Sequence, residues 1–479
     1  MSTAAGPQRV EDSVVLGDLY QISGVAGNVT ITAGRVPFRV EPFPAAPVAL
    51  PVDRARAQPS RLLLARHEVV PFAGRAEQLS ELARWRGAAE KVSVRLVHAS
   101  GGQGKTRLAR RVAADALAAG WAVRQVTHAS GHASGHASGP GSRLRRPEGD
   151  GVLAVVDYAD RWPPSDLLEL VTRLSAVPLE TGSTVRVLLL ARSAGFWWQA
   201  LRDRWDAELG IDATSVALPP LAGQIDRAEL YVEARDRFAA ALGVAAGPEP
   251  GMPAELDGDV LSVHMAALVA VDARRLGRSA DVAPHGLSAY LLRRELAHWH
   301  SLHARAEDRM ATAPRVMARA AYVATVTGGS LSRADGRAVL ERAHVTAPDV
   351  DTVLDDHLFC YPAADAGGVL TAMHPDRLGE DLIALATHGH GLGEDAWPAD
   401  DWARDAPGLL LAGRPTWTAA AVTVLVETAR RWPHIARDVL FPLLKARPEV
   451  ALPAGGAVIA RLAEIPDMDL DVLEAVDAV

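Results

Sequence analysis

The stretch Ala99-Ser100-Gly101-Gly102-Gln103-Gly104-Lys105-Thr106-Arg107 joins a flexible backbone to a cation and a hydroxyl, at a spacing suited to phosphate. Glycines let successive N–H groups turn inward around phosphate oxygens, and a following helix presents its N-terminus to the same anion. Lys105 would then sit on the β- and γ-phosphates, and Thr106 would offer its hydroxyl to Mg2+. The strict spacing has a glycine where Ala99 stands; alanine is small, and Gly101 and Gly102 keep the turn flexible. A second motif, VLAVVDYAD at 152–160, ends an apolar run on Asp157, where a carboxylate would hold the Mg2+ water shell. Asp160 is a candidate general base, with a plain turn carboxylate as the alternative. The run VRVLLLA at 185–191 leads into Arg192, a cation that would reach a γ-phosphate or simply cap a strand end. In VVPFAGRAEQ, Val70 and Phe72 precede Gly74 and Arg75, and this segment is expected to edge an adenine pocket. The implied ligands are ATP or ADP with Mg2+, with Thr106 and Asp157 on the metal.

The elements that must position these residues follow from periodicity. Residues 61–225 alternate apolar runs with helical patterns, which predicts an α/β domain with a parallel sheet flanked by helices. Expected strands are 94–99, 121–127, 152–157, 185–191 and 214–218. Their continuous β-branched and leucine content suits strands buried on both faces. Residues 226–308 are expected to form a helical domain. Leu230, Ala234 and Phe238 recur every fourth position there. A further unit at 309–390 and a C-terminal region at 391–479 also read as helical. In the latter, runs at 417–432, 434–446 and 455–464 are punctuated by Pro433 and Pro448, and no strict repeat period is visible. Residues 1–36 read as a short β-like segment. Residues 37–60, with six prolines, are expected to be an extended linker.

Composition narrows the function classes. The chain has 479 residues, of which 49% are apolar and 23% charged, so it can bury large cores and is not a disordered chain. A net charge of -8 does not suit a general nucleic-acid coat. Cys360 is the single cysteine, which excludes an internal disulfide framework and a multi-cysteine zinc site. Neither a leader pattern nor a long apolar run is visible, so a cytoplasmic location without membrane contact is expected. His128, His132 and His136 each begin a His-Ala-Ser-Gly unit; glycine and serine oppose a metal-binding helix there, and a surface loop is the expectation.

Taken in order, GRAEQL, ASGGQGKTRLA, VLAVVDYAD and LLLARS resemble the opening segment, P-loop, Walker B strand and sensor strand of STAND-class P-loop ATPases, the class that includes NLR-type proteins. The resemblance covers about residues 68–390. It implies a helical domain and a winged-helix domain (309–390) after the ATPase core. The sequence 367–384 is similar to the family's "MHD" region, which would place His374 on the ADP β-phosphate; Pro375 before Asp376 departs from the pattern. At 260–267, Ser262 stands where the family's lid proline would be. Residues 13–34 are expected to form a hairpin docked on the ATPase domain; the alternative rests on a weak resemblance to amyloid-type signalling segments that engage an effector.

The implied activity is a slow Mg-ATPase acting as an ATP/ADP switch that self-associates when activated. An AAA+ ring motor is the first alternative and needs an arginine finger, for which Arg202 and Arg204 are candidates. A winged-helix DNA-binding regulator is the second. Nucleic acid is the less expected partner, because Arg315, Arg319, Arg333, Arg337 and Arg342 are interspersed with acids.

Overall fold

The computed structural model describes residues 13–15, 37–44, 46–128, 143–145, 151–181, 183–221, 225–245, 251–253, 256, 259–278, 284–305, 310–329, 331–363, 368–393, 397–413 and 415–479. His132, His136 and most of 13–34 lie outside them. Strand β1 (Ser13–Val15) pairs antiparallel with β5 (Arg143–Arg145).

A six-stranded sheet organises the first half of the chain. Its members are β2 (Phe38–Pro42), β3 (Val92–His98), β4 (Ala122–His128), β6 (Gly151–Val156), β7 (Thr184–Ala191) and β8 (Asp212–Ala217), in the order β2-β4-β6-β7-β3-β8. All pairs are parallel except β2 with β4. The five expected strands lie within a residue or two of the observed ones. β6 is buried along its whole length, and Leu188 and Leu189 of β7 are fully buried, as helices on both faces require. Those helices are α2 (Ala76–Arg86), α3 (Lys105–Ala118), α4 (Pro164–Thr181) and α5 (Phe196–Leu209). α3 turns Leu108, Val112 and Ala116 into one apolar core; Trp198, Leu201 and Trp205 of α5 enter the core on the opposite face. β7 lies between β3 and β6. The ends of the three strands that carry Ala99, Asp157 and Arg192 therefore lie side by side.

Residues 37–60 differ from the expected linker. Phe38 is buried, and β2 extends the sheet by pairing with β4 from Phe38 to Pro42. Proline is tolerated at a sheet edge because no ladder donor is needed on the outer side, so the prolines that suggested a linker suit this strand equally. Helix α1 (Val52–Ala57) then docks on the helical half: Arg56 Nε donates to Leu242 O at 2.8 Å, and Gln58 Nε2 donates to Glu295 Oε2 at 2.9 Å.

The second half is helical. α6 (Arg227–Ala241), α7 (Val260–Arg275) and α8 (Pro284–Ala304) are followed by α9 (Pro314–Thr327), α10 (Arg333–Arg342), α11 (Val350–Cys360) and α12 (Asp376–Ala386). A small antiparallel ribbon of β9 (Leu331–Ser332) and β10 (Gly368–Leu370) sits among α9–α11. Then come α13 (Trp402–Leu410), α14 (Thr418–Ala429) and α15 (Pro433–Ile435), which a π-helical turn (Ala436–Leu440) joins to α16 (Phe441–Ala446); α17 (Gly455–Leu462) and α18 (Leu470–Asp477) close the chain. One continuous apolar core runs from Ala55 through Trp299 and Leu385 to Val476. The C-terminal helices thus share the core of the preceding helices and do not form a separate array. Among the described residues no helix is long and apolar enough to cross a membrane.

Candidate functional site

At the C-terminal ends of the parallel strands lies a cavity of about 690 Å³. Ligands of open α/β sheets bind in this position, because the loops and helix N-termini converge there. Gly101, Gly104, Lys105 and Thr106 form one wall, and Asp157 and Asp160 part of its floor. The opposite wall comes from α12, from α14 with the two arginines after it, and from Glu464 after α17.

The loop wall is built locally. Gly104 holds φ +81° as the N-cap of α3 and Gly102 holds φ +79°, left-handed values that favour glycine. A Cβ on Gly102 would lie 2.7 Å from Asp259 Oδ1, so the loop and the start of α7 fit closely. Leu261 N also donates to Gly102 O at 3.3 Å. Lys105 Nζ donates to Ala99 O at 2.8 Å and Ser100 O at 3.0 Å. Burial, with Arg192 nearby, lowers the Lys105 pKa to about 8, against the pull of Asp157, Asp160 and Asp376. Thr106 Oγ1 donates to Asp157 Oδ2 at 2.8 Å, and Tyr158 N donates to Asp157 Oδ1 at 2.9 Å. Burial raises the Asp157 pKa, and these two bonds oppose the rise.

Arg192 differs most from its expected role. Its side chain is 7% exposed, and carboxylates of the C-terminal half surround its guanidinium. Nη2 lies 2.6 Å from Glu380 Oε1 and 2.9 Å from Asp376 Oδ2, and Nη1 lies 3.0 Å from Glu427 Oε2. Burial works to lower its pKa, but Glu380 and Asp376 prevail and hold it above the ordinary arginine value. Asp160 does not stand free as a base: its Oδ2 accepts from Arg192 N at 2.9 Å, while its buried Oδ1 has no hydrogen-bond partner among the described residues.

Asp376 gathers several groups. Tyr158 Oη donates to its Oδ1 at 2.9 Å, Arg161 Nη2 to its Oδ2 at 2.9 Å, and His374 Nδ1 lies 3.1 Å from Oδ1. Burial would raise its pKa, but Arg161, the His374 hydrogen bond and Arg192 hold it well below the usual carboxylate range. His374 lines the cavity and faces Asp376 and the Tyr158 ring, 6.5 Å away between centroids. The segment at 260–267, where Ser262 stands in place of the family's lid proline, starts α7. Asp259 caps it, accepting from Ser262 N at 2.8 Å, and Arg377 Nη1 donates to Asp259 Oδ2 at 2.7 Å.

The expected adenine edge is placed elsewhere. Val70 is buried in the helical core and Phe72 packs against the core beneath α3. Gly74 faces Ile225 and Leu221, and Arg75 braces the loop from behind, donating to Pro219 O and, at 3.2 Å, to Gln103 O. Arg107 lines the cavity and donates to Val70 O. The apolar side of the cavity is instead Leu63, Leu64, Ala65 and Leu261. An apolar run of Val-Val-Pro-Phe suits core packing as well as a ligand, and only the tertiary placement separates the two.

Tyr158, Arg161, Glu380 and Glu427 escaped the sequence reading. Glu380 had one available signal, since it stands four residues after Asp376 on the same helical face. Glu427 lies within an apolar helix pattern and carries no local signal. His264 also lines the cavity; burial, then Arg107, lowers its pKa to about 3, so its ring is neutral at ordinary pH.

No family model matches the chain, and no curated protein matches it. Among solved structures, the chain is similar to the ORC2 protein of Aeropyrum pernix in its ADPNP–ADP complexes, at 14% identity over 74% of this chain and 98% of that one, with a TM-score of 0.31. It is also similar to a Walker-type ATPase of Pyrococcus abyssi, at 13% identity over 65% and 96% with a TM-score of 0.30. A third is the Aeropyrum pernix ORC1 protein in complex with DNA, at 18% identity over 67% and 96% with a TM-score of 0.27. Overlaps this loose leave the functional reading to the site's own residues.

Proposed function

We propose that the chain is a nucleotide-operated switch, binding ATP or ADP with Mg2+ in the cavity and hydrolysing ATP slowly. The observation that carries the reading is the cavity's two walls. One has a lysine and a hydroxyl suited to phosphate and Mg2+, Lys105 and Thr106, beside the carboxylate of Asp157, and the other is formed by helices of the C-terminal half. The donor set fits the ligand chemically. Lys105 is turned onto loop carbonyls and Thr106 onto Asp157, so a phosphate and Mg2+ would draw on donors already in place. In this reading Lys105 and the loop N–H groups hold phosphate oxygens, and Thr106 with Asp157 holds the metal, which neutralises phosphate charge when bound. Asp160 stands where it can orient a water, its Oδ1 lacking a partner among the described residues.

The closed arrangement supports a switch of the STAND kind. Asp376 is bonded to Tyr158, the residue after the metal-holding Asp157, and Arg377 ties α12 to the start of α7. A ligand that prefers one of two arrangements shifts their balance only by its differential affinity, and moving it from 1:99 to 99:1 takes a ratio of about 10⁴. The reading assigns no nucleic-acid surface to α10, because Arg333 pairs with Asp351 and Asp355, and Arg337 with Asp351.

The test is the nucleotide released on denaturing the purified protein, repeated with Lys105→Ala. Near-stoichiometric ADP in the wild type, lost in the variant, is expected. An empty wild-type site with rapid ATP turnover would sink the closed-switch reading and favour a ring motor.

A further inference from the structure

The cage around Arg192 reaches beyond the unit next to the ATPase core. Asp376 and Glu380 belong to α12, but Glu427 comes from α14, in the C-terminal region at 391–479. Glu427 is itself held from both sides. Arg461 of α17 pairs with its Oε1, and Arg430 Nη1 lies 3.4 Å from its Oε2. Arg461 Nη2 also donates to the Arg192 carbonyl at 3.3 Å, so α17 grips the strand end that carries Arg192. Arg431 fixes α12 to the same cluster, lying 2.7 Å from Asp381 and 3.4 Å from Glu380.

This arrangement restricts what Arg192 can do. It lines the same cavity as Lys105 and Thr106, yet three carboxylates sit on its Nη1 and Nη2 groups. Withdrawing it alone would leave those carboxylates buried around an absent cation, which is strongly unfavourable. A terminal phosphate can therefore engage Arg192 only if α12 and α14 move away with their carboxylates. A diphosphate, lacking the third phosphoryl group, imposes no such demand.

We infer that Glu427, held by Arg461, competes with the terminal phosphate of a nucleoside triphosphate for Arg192, so that the last helices of the chain set the preference between di- and triphosphate. The inference rests on the nucleotide-switch reading and adds the regulator of that site. The final helices act as an internal inhibitor, and what pulls α14 and α17 off the strand end favours the triphosphate form.

The test is titration of the nucleotide-stripped full chain with ADP and with a non-hydrolysable ATP analogue, each with Mg2+. Glu427→Gln should raise the ratio of triphosphate to diphosphate affinity about tenfold, the scale of one charge-assisted hydrogen bond. Asp471→Asn, which removes an exposed carboxylate of α18 that pairs with Lys445 and lies outside the cavity lining, should leave the ratio unchanged. If Glu427→Gln does not fold, Glu427→Asp, which keeps the charge and shortens its reach, should shift the ratio in the same direction by less. A ratio within about twofold of wild type in a folded Glu427 variant, or an equal shift in Asp471→Asn, overturns the inference while the nucleotide reading stands. Binding of neither nucleotide by the wild type overturns both.

Discussion

The two walls of the cavity are built in opposite ways. The loop wall comes from consecutive residues, Ala99 to Arg107, which the turn from β3 into α3 brings into place. The Arg192 cage is assembled from β7, α12, α14 and α17, with Arg461 bonded to Arg192 O from 269 positions away. The first wall is a local device: glycines shape it, and one lysine and one threonine supply its chemistry. The second is a balance of buried charges in which each member depends on the others. A local device should lose function when one residue changes and keep its fold. A charge network should lose its fold first.

The largest effect expected from that contrast is on stability. Arg192→Ala leaves Asp376, Glu380 and Glu427 without their shared cation, and a loss of about 3–5 kcal/mol is expected, read by urea or thermal unfolding. A loss below about 1 kcal/mol would mean that the cage is loose and open to water. Lys105→Ala should do the reverse, keeping the unfolding midpoint near that of the wild type while weakening ADP binding about 100-fold, the scale of charge-assisted bonds to phosphate. Retained affinity in that variant would remove the loop from the site.

A pH titration sharpens the same contrast. Burial brings the free-state pKa of Lys105 to about 8. Phosphate favours the charged ammonium, so binding raises this pKa and takes up a proton above pH 8. This contribution to ADP affinity should therefore be flat up to about pH 7, be halved at about pH 8 and fall about tenfold between pH 7 and pH 9. The slope should vanish in Lys105→Ala, and a wild-type affinity that rises over this range contradicts the assignment. The smallest effect belongs to Arg204, an arginine-finger candidate that pairs with Glu208 one turn along α5 at about half exposure. Arg204→Ala should cost no more than about 0.5 kcal/mol and leave turnover unchanged; a large loss of turnover would point to a ring with subunits in contact.

Sequence patterns carried the α/β core well, because periodicity reports burial directly. Strands buried on both faces are continuous apolar runs, and β6 and β7 are such runs. They carried the edge strand poorly. β2 is short and flanked by proline, and its partner β4 lies more than eighty residues on, so nothing local separates it from extended linker. The apolar side of the cavity was misplaced for a similar reason. Val70 and Phe72 are apolar because they are core, whereas the residues that face the cavity, Leu63 and Leu64, sit in a short turn with no periodic signature.

By itself the sequence determined what short-range chemistry determines: the glycine-shaped loop, the lysine and threonine that follow it, the aspartate ending β6, and the alternation that makes a parallel sheet. It could not determine what Arg192 touches. An arginine at a strand end serves a phosphate or a carboxylate equally well, since both accept the same fork of N–H donors. Only the packing of α12, α14 and α17 over that strand end brings three carboxylates within reach and decides between them. Coulomb interactions depend on distance in space, and the order of residues along the chain does not record it.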